Sequence, residues 1–465
     1  MNKTKIITKI DNTNNKTESL TEMMLNGIDA FCISLHDFSH EFCLDVINKI
    51  KKINEELNLH TSIILETVGT KVHADKFYGG CATFKTNDKI RIYMKKVLGD
   101  ETKFSVDYKD LVNDVKYDSL IKLSDGTVEL QVLDKGEDFL LCKVNQGGTV
   151  YDNTNVIVPG VKFKNRFLRQ EDRDNIKFAC EHDVDYIITS YISGVDDVLD
   201  INDLLIDLEN NHIGILAKIE NEFALEEIDD IINICEGIVI SREDLGIELP
   251  VERIPGIQKS LVNKCHLAGK ISIIVSDMVI ETENALSKAE VSDIANAVLD
   301  GTDALMFNNK TYSLDLLKAT EKVVKVAEED INYANFLDMT IRSESKDVTG
   351  NVACSVAEMA NRLKCKAIVV PTISGYTARK MSRFRPRCPI IAISTDEKTV
   401  KSLALYFGVC PILIDNLKSI DDIMTQSKKI VYKKMDVSSG DKIIITGGYP
   451  FKDIKHTNLI EIEEL

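Results

Sequence analysis

Apolar residues recur along the first seventy positions in two alternating rhythms. Short runs rich in Ile, Val and Leu cover residues 5–10, 30–35 and 62–65. Between them, residues 17–26 and 41–57 repeat apolar positions every three or four residues, and Gly27 stands where the first of these must stop. Apolar runs of strand length alternating with helical periodicity predict parallel strands joined by crossover helices.

The texture changes between residues 74 and 160. Strand-sized runs at 90–94, 119–123, 128–132 and 139–144 are separated by Asp125-Gly126, Lys135-Gly136 and Gly147-Gly148. Such pairs are hairpin signals, so the stretch predicts a small all-β domain. Alternation resumes near residue 176, with strands expected at 184–188, 213–219, 238–240, 271–275 and 304–307. Past Asn332 the chain turns polar. A helix is then expected at 352–363 and strands at 367–370, 390–393 and 442–446, with a helix after each of the first two. That pattern describes an open α/β unit with a ligand crevice at its strand C-termini. The expected domains are residues 1–73 and 161–331 for the first unit, 74–160 for the β insert, and 332–465 for the C-terminal unit.

Composition narrows the partners. A net charge of −17 argues against nonspecific nucleic-acid binding and against an anionic membrane surface, so any phosphate site must be local. The 11 cysteines show neither C-x-x-C pairs nor zinc spacing, which points to reduced thiols and a cytoplasmic protein. The start, Met1-Asn2-Lys3-Thr4-Lys5, lacks the apolar core of a signal peptide, and no apolar run reaches the ~18 residues of a membrane span.

The chemistry gathers at two expected strand ends. One delivers Lys218 and Glu220 within Ala217-Lys218-Ile219-Glu220-Asn221. The other delivers Arg242, Glu243 and Asp244 within a stretch that runs from Gly237 to Pro250. A lysine beside two acidic groups at the C-terminal ends of barrel strands suggests a metal-assisted site that handles an anion.

These segments resemble the pyruvate kinase family, whose pattern runs S-K-I-E-N and then G-I-M-V-A-R-G-D-L-G-I-E-I-P. The block from Ala289 to Gly301 and Ser382-Arg383-Phe384-Arg385-Pro386 match two further family blocks in order. The resemblance therefore runs over nearly the whole chain. It implies a (β/α)8 TIM barrel, an inserted small β-barrel lid domain and a C-terminal open α/β domain. It implies phosphate transfer from phosphoenolpyruvate to ADP in glycolysis. It assigns Mg2+ to Glu220 and Asp244, stabilisation of the transferring phosphoryl group to Lys218, and a pyruvate-pocket hydroxyl to Ser276.

Elsewhere the chain departs from the family pattern. In the gapless register of G-x-x-V-A-R-L-N-F-S-H-G on residues 27–38, the phosphate-binding arginine becomes Cys32. The potassium ligands asparagine and serine become Ser34 and His36, and the next histidine becomes Asp37. In A-L-D-T-K-G-P-E-I-R on residues 64–73, the potassium-binding aspartate becomes Glu66 and Thr67 is kept. The lysine becomes Val68, the glutamate Lys71, and the nucleotide-side arginine His73. Glu243 replaces a glycine whose backbone meets the substrate carboxylate, Asp277 replaces glutamine, and residues 307–314 lose a glycine-rich block. Phosphoryl transfer rests on positioning and cationic stabilisation. With Cys32, Val68 and His73 in place of cations, the expectation is a catalytically deficient relative that does not bind K+. It would serve as a regulatory or structural subunit of a homo- or hetero-oligomer, a tetramer in this family, with an active paralogue. The alternative is a working pyruvate kinase in which Lys71 or Lys310 compensates.

In the C-terminal unit, Val369 to Arg379 matches the family loop T-x-S-G-x-[ST] that cradles a sugar-phosphate effector, on Thr372, Ser374, Gly375 and Thr377. The facing T-G-W-R-P-G segment appears as Thr446-Gly447-Gly448-Tyr449-Pro450, without the tryptophan and arginine, and Lys452 or Lys455 is the candidate substitute. The basic stretch Ser382 to Arg387 is expected to cap carbonyls and pair with acids, with subunit contact as the alternative.

Overall fold

The computed structural model describes residues 2–69, 71–163, 167–210, 212–276, 286–307, 314–343, 347–416, 420–448 and 457–465. Asp277, residues 308–313 with Lys310, Tyr449, Pro450, Lys452 and Lys455 lie outside the described residues.

Eight parallel strands close into a barrel: β1 (Lys5–Lys9), β2 (Ala30–Ser34), β3 (Ser62–Glu66), β4 (Tyr186–Thr189), β5 (Gly214–Ile219), β6 (Gly237–Ile240), β7 (Ile271–Ser276) and β8 (Ala304–Phe307). Each pairs with the next in sequence, and β8 closes on β1 with Phe307 opposite Thr8. The strands are apolar on both sides because both sides are covered. In β2, Phe31 and Ile33 pack outward against the helices, whereas Ala30 and Cys32 fill the barrel interior. Ile7, Cys32, Ile64, Ile188, Leu216, Val239 and Ile273 belong to that interior core. Strand alternation places one residue per strand in the layer above it: Lys9, Ser34, Glu66, Ser190, Lys218, Ser241, Val275 and Met306. Six of these eight are polar or charged, so the packed core gives way to a cleft floor at the C-terminal ends of the strands.

The insert forms a six-stranded sheet and a two-stranded sheet around Phe77, Phe84 and Phe104. Four of its strands, Cys81–Phe84, Lys103–Ser105, Gly148–Tyr151 and Val156–Ile157, are too short to announce themselves in the sequence. Gly148 begins a strand instead of completing a turn. A side chain on the preceding Gly147 would meet the Phe84 carbonyl oxygen at 2.4 Å, and this close approach lets Gly148 pair with Phe84. The insert touches the barrel through Lys122, whose Nζ donates to the Ile247 carbonyl at 2.6 Å.

The C-terminal unit is a five-stranded sheet of β9 (Ala367–Pro371), β10 (Ile390–Ser394), β11 (Val409–Leu413), β12 (Lys442–Gly447) and β13 (Leu459–Glu464), ordered β11-β10-β9-β12-β13. Unlike its neighbours, β13 runs antiparallel to β12. The polar stretch after Asn332 holds a helix, Tyr333–Ser343, that buries only Tyr333, Leu337 and Thr340; one threonine among its three inward positions blunts the apolar signal. The next helix begins at Val348, four residues before the expected start, where Asp347 caps it by accepting from the Gly350 N–H at 3.0 Å.

This unit packs on the N-terminal face of the barrel, opposite the cleft. Lys5 Nζ donates to the Val409 carbonyl at 2.7 Å, Ser62 Oγ to the Lys401 carbonyl at 2.8 Å, and the Tyr186 hydroxyl to the Ser402 carbonyl at 2.5 Å. One apolar cluster continues from the barrel interior into the C-terminal domain through Ala353, Phe384 and Leu405. No helix among the described residues is long and apolar enough to cross a membrane.

Candidate active site at the barrel mouth

A cleft of ≈ 250 Å3 opens above the polar top layer of the barrel. Lys218 is its electrostatic centre. Its Nζ lies 2.9 Å from Glu220 Oε1, 3.1 Å from Glu66 Oε1 and 3.6 Å from Asp244 Oδ2. Burial disfavours the charge on Lys218, but these three carboxylates outweigh it and hold the ammonium well above its ordinary proton affinity.

The acids differ from one another. Burial would raise the Glu66 carboxyl, yet Lys218 and Lys9 drive it well below the usual carboxylate range. Burial pushes Glu220 up to about 7 against the pull of Lys218. Asp244 resists its own burial through Lys218 and a short hydrogen bond from the Ser241 hydroxyl, and it is held low. Glu220 is further fixed by the Tyr191 N–H, which donates to Oε2 at 2.6 Å. Its Oε1 is buried without an aligned hydrogen bond, although Lys218 is beside it. Asn221, the last residue of the K-I-E-N segment, caps the following helix at Ala224 and donates to the Ile192 carbonyl at 2.9 Å, so it shapes the loop.

Lys218, Glu220 and Asp244 thus converge. Ser276 does not join them at the cleft. It points away from the barrel interior, and its hydroxyl donates to Asp293 Oδ2 at 3.2 Å, beside the ion pair of Asp293 with Arg242. Glu243 lines the cleft, as do Ser34, His36, Glu66, Thr67 and Val68. Cys32 is buried one layer below, and burial pushes its thiol up to about 12, so it is uncharged. The His73 backbone N–H and Nδ1 both engage Asp107, at 2.8 and 3.1 Å, and its ring stacks on His36. His36 is held below the ordinary histidine range by burial.

Two further cations stand at the same mouth, Lys9 and the candidate compensating residue Lys71. Lys9, unmarked in the sequence, brings Nζ to 2.8 Å from Glu66 Oε2. The clue was an inward-facing charge at the end of the alternation Lys5, Ile7, Lys9. Lys71 lines the cleft with its ammonium 4.6 Å from the Tyr191 ring centre.

A family model described as the pyruvate kinase barrel domain matches residues 1–314, and one for the pyruvate kinase alpha/beta domain matches residues 350–463. The chain belongs to the pyruvate kinase family. It is 32% identical to a pyruvate kinase of Clostridium perfringens over the full length of both chains. It is 34% identical to a pyruvate kinase of Staphylococcus haemolyticus, covering 99% of this chain and 80% of that one. A crystal structure of a pyruvate kinase from Cryptosporidium parvum superposes with a TM-score of 0.93 at 27% identity, covering 100% of this chain and 96% of that one.

The segment with the T-x-S-G-x-[ST] pattern follows β9. Gly375, at φ +75°, caps the helix Tyr376–Arg383, and its N–H donates to Thr372 Oγ1 at 3.0 Å. The Thr377 hydroxyl is bonded to that of Thr457 at 2.8 Å, and Arg379 donates to the Ser374 carbonyl at 2.8 Å. The loop is held by its own hydrogen bonds.

Proposed function

We propose that this pyruvate kinase-family chain has largely lost phosphoryl transfer and serves as a structural or regulatory subunit beside an active paralogue in the cytoplasm. The observation that carries the reading is the charge at the mouth. Cys32 is a neutral core residue, Val68 is apolar, and His73 is tied to Asp107. Glu243 adds a carboxylate to a cleft that should receive a substrate carboxylate and phosphate. Losing one cation aimed at a transferring phosphoryl group costs roughly 10³–10⁵ in rate.

The retained part of the site fits a divalent ion. Glu220 and Asp244 are hard oxygen donors on adjoining strand ends, and an ion there would share them with Lys218, whose Nζ stands 2.9 Å from Glu220 Oε1 and 3.6 Å from Asp244 Oδ2. They would hold Mg2+ with substrate oxygens and water completing its shell, and the ion would supply charge stabilisation. Lys218 would orient an anion above it. The effector loop of Thr372, Ser374, Gly375 and Thr377 would take a sugar phosphate after Thr377 exchanges its Thr457 partner for the ligand.

A slow but working pyruvate kinase is the second reading. It is favoured by the convergence of Lys218, Glu220 and Asp244 and by Lys71 at the cleft. A lactate dehydrogenase-coupled assay with phosphoenolpyruvate and ADP separates them. Turnover at least a thousandfold below the median enzyme value of ~10 s⁻¹ is expected for the chain alone. Several turnovers per second would establish the second reading instead.

A further inference from the structure

Ser34, His36, Glu66 and Thr67 line one side of the cleft, at the positions the family resemblance gives to a bound potassium ion. These residues do not fit that ion. Both carboxylate oxygens of Glu66 already face ammonium groups, Oε2 that of Lys9 at 2.8 Å and Oε1 that of Lys218 at 3.1 Å. The Ser34 hydroxyl accepts from the Asp37 N–H at 3.3 Å, and Thr67 Oγ1 accepts from the Ser190 N–H at 3.4 Å. The side chains of Lys9 and Glu66 are 21% and 7% exposed, so little water stands between this pair and the protein.

We propose that Lys9 is a tethered cation that takes the place of a monovalent metal ion at Glu66. With Lys9 and Lys218 already on its two oxygens, Glu66 has no oxygen left free of a cation, and a third unit charge at contact distance would be repelled with little water to screen it. An ammonium fixed to β1 therefore excludes potassium from the same oxygens. It is also covalently held and makes the site charge-complete at any salt composition. The other charged groups lining the cleft are Asp37, Lys71, Asp125, Lys218, Glu243 and Asp244, with the His36 ring beside them. The contact of Lys9 with Glu66 is the same whether or not turnover survives.

The test reads binding and stability, not activity. Thermal unfolding of the full chain is compared in KCl and in tetramethylammonium chloride at equal ionic strength, and thallium(I), a potassium mimic, is located by anomalous scattering. The wild-type chain should melt at the same temperature in both salts and hold no thallium beside Glu66. Lys9→Met, which keeps the length of the side chain but not its charge, should melt at least about 2 °C higher in KCl and bind thallium at Glu66 and Thr67. A folded Lys9→Met chain indifferent to potassium would overturn the proposal. If that variant does not fold, Lys9→Gln carries the same comparison. Thallium bound beside Glu66 in the wild-type chain overturns the proposal whatever the variants do.

Discussion

Arg385 leaves the C-terminal domain to grip Asp303 at the foot of β8 with both arms of its guanidinium, at 2.8 and 3.0 Å. Both side chains are almost fully buried. Asp303 also accepts from the Ser272 N–H and hydroxyl, each at 3.0 Å, and from the Phe407 N–H at 3.2 Å. Arg385 donates in addition to the Gly301 carbonyl at 3.1 Å and sits over the Phe407 ring. The basic stretch around Arg385 is thus a clamp between domains, formed by pairing with an acid.

Breaking that clamp from one side leaves Asp303 buried without its guanidinium. Arg385→Met should cost about 3–5 kcal/mol, the usual cost of an uncompensated buried charge. Arg385→Lys should recover only part of this, because an ammonium cannot make the two parallel bonds. Urea unfolding followed by circular dichroism checks both. A midpoint unchanged in Arg385→Met would show that the clamp adds nothing to the other contacts between the two domains.

A second dependence concerns Glu248, near the junction of barrel and lid. Burial raises its carboxyl to about 7, helped by Glu222 and opposed by the Gly160 N–H and Lys122. A carboxyl raised in the folded state binds its proton more tightly there than in the unfolded chain. Its contribution to stability is therefore full below about pH 4 and is lost as pH rises through 7. Glu248→Gln removes the titration. Between pH 5 and 8 the wild-type chain should lose up to about 3 kcal/mol more than the variant. Parallel slopes of denaturation midpoint against pH would exclude this assignment.

The barrel strands were legible because each is covered on both faces and reads as an apolar run, while their closure into a barrel was implied by the family resemblance. Lys218, Glu220 and Asp244 were legible because charge interrupts such a run where a strand ends. The short strands of the lid and the antiparallel β13 were not, since two to six residues of mixed polarity carry no periodicity. Lys9 was hidden for another reason. Its role depends on a contact with Glu66, 57 positions away in sequence, that exists only once β1 and β3 share a barrel. Ser276 shows the converse: a hydroxyl in the right motif position turns outward to Asp293 because β7 alternates Ile271, Ile273 and Val275 inward.

Glu243 offers the most direct test of the cleft's charge. It stands second in the helix Arg242–Glu248, exposed and lining the cleft. Glu243→Gly removes a like charge from the path of phosphoenolpyruvate and exposes the backbone N–H. Affinity in the presence of magnesium should rise about tenfold, a change of about 1.4 kcal/mol, by isothermal titration calorimetry. Unaltered affinity would mean that the carboxylate turns away from the bound anion.

The last expectation is assembly, and it follows from where apolar surface remains. The helix Lys288–Leu299 leaves Val291 and Leu299 38% and 42% exposed, and the helix Val348–Leu363 leaves Val348 and Leu363 56% and 39% exposed. The first helix falls in the block from Ala289 to Gly301 that keeps the family pattern, while Cys32, Val68 and His73 stand where that pattern has cations. A chain maintained for turnover would show the reverse. Under the proposed subunit role, a partner would cover these exposed apolar residues. Light scattering coupled to size exclusion should therefore report an oligomer for the chain alone, and a mixed oligomer when a pyruvate kinase paralogue is co-expressed. Leu299→Glu should lower the measured mass without unfolding the barrel, because that residue is already partly in water. A monodisperse monomer in both samples would remove the subunit reading and leave the slow enzyme as the better account of this fold.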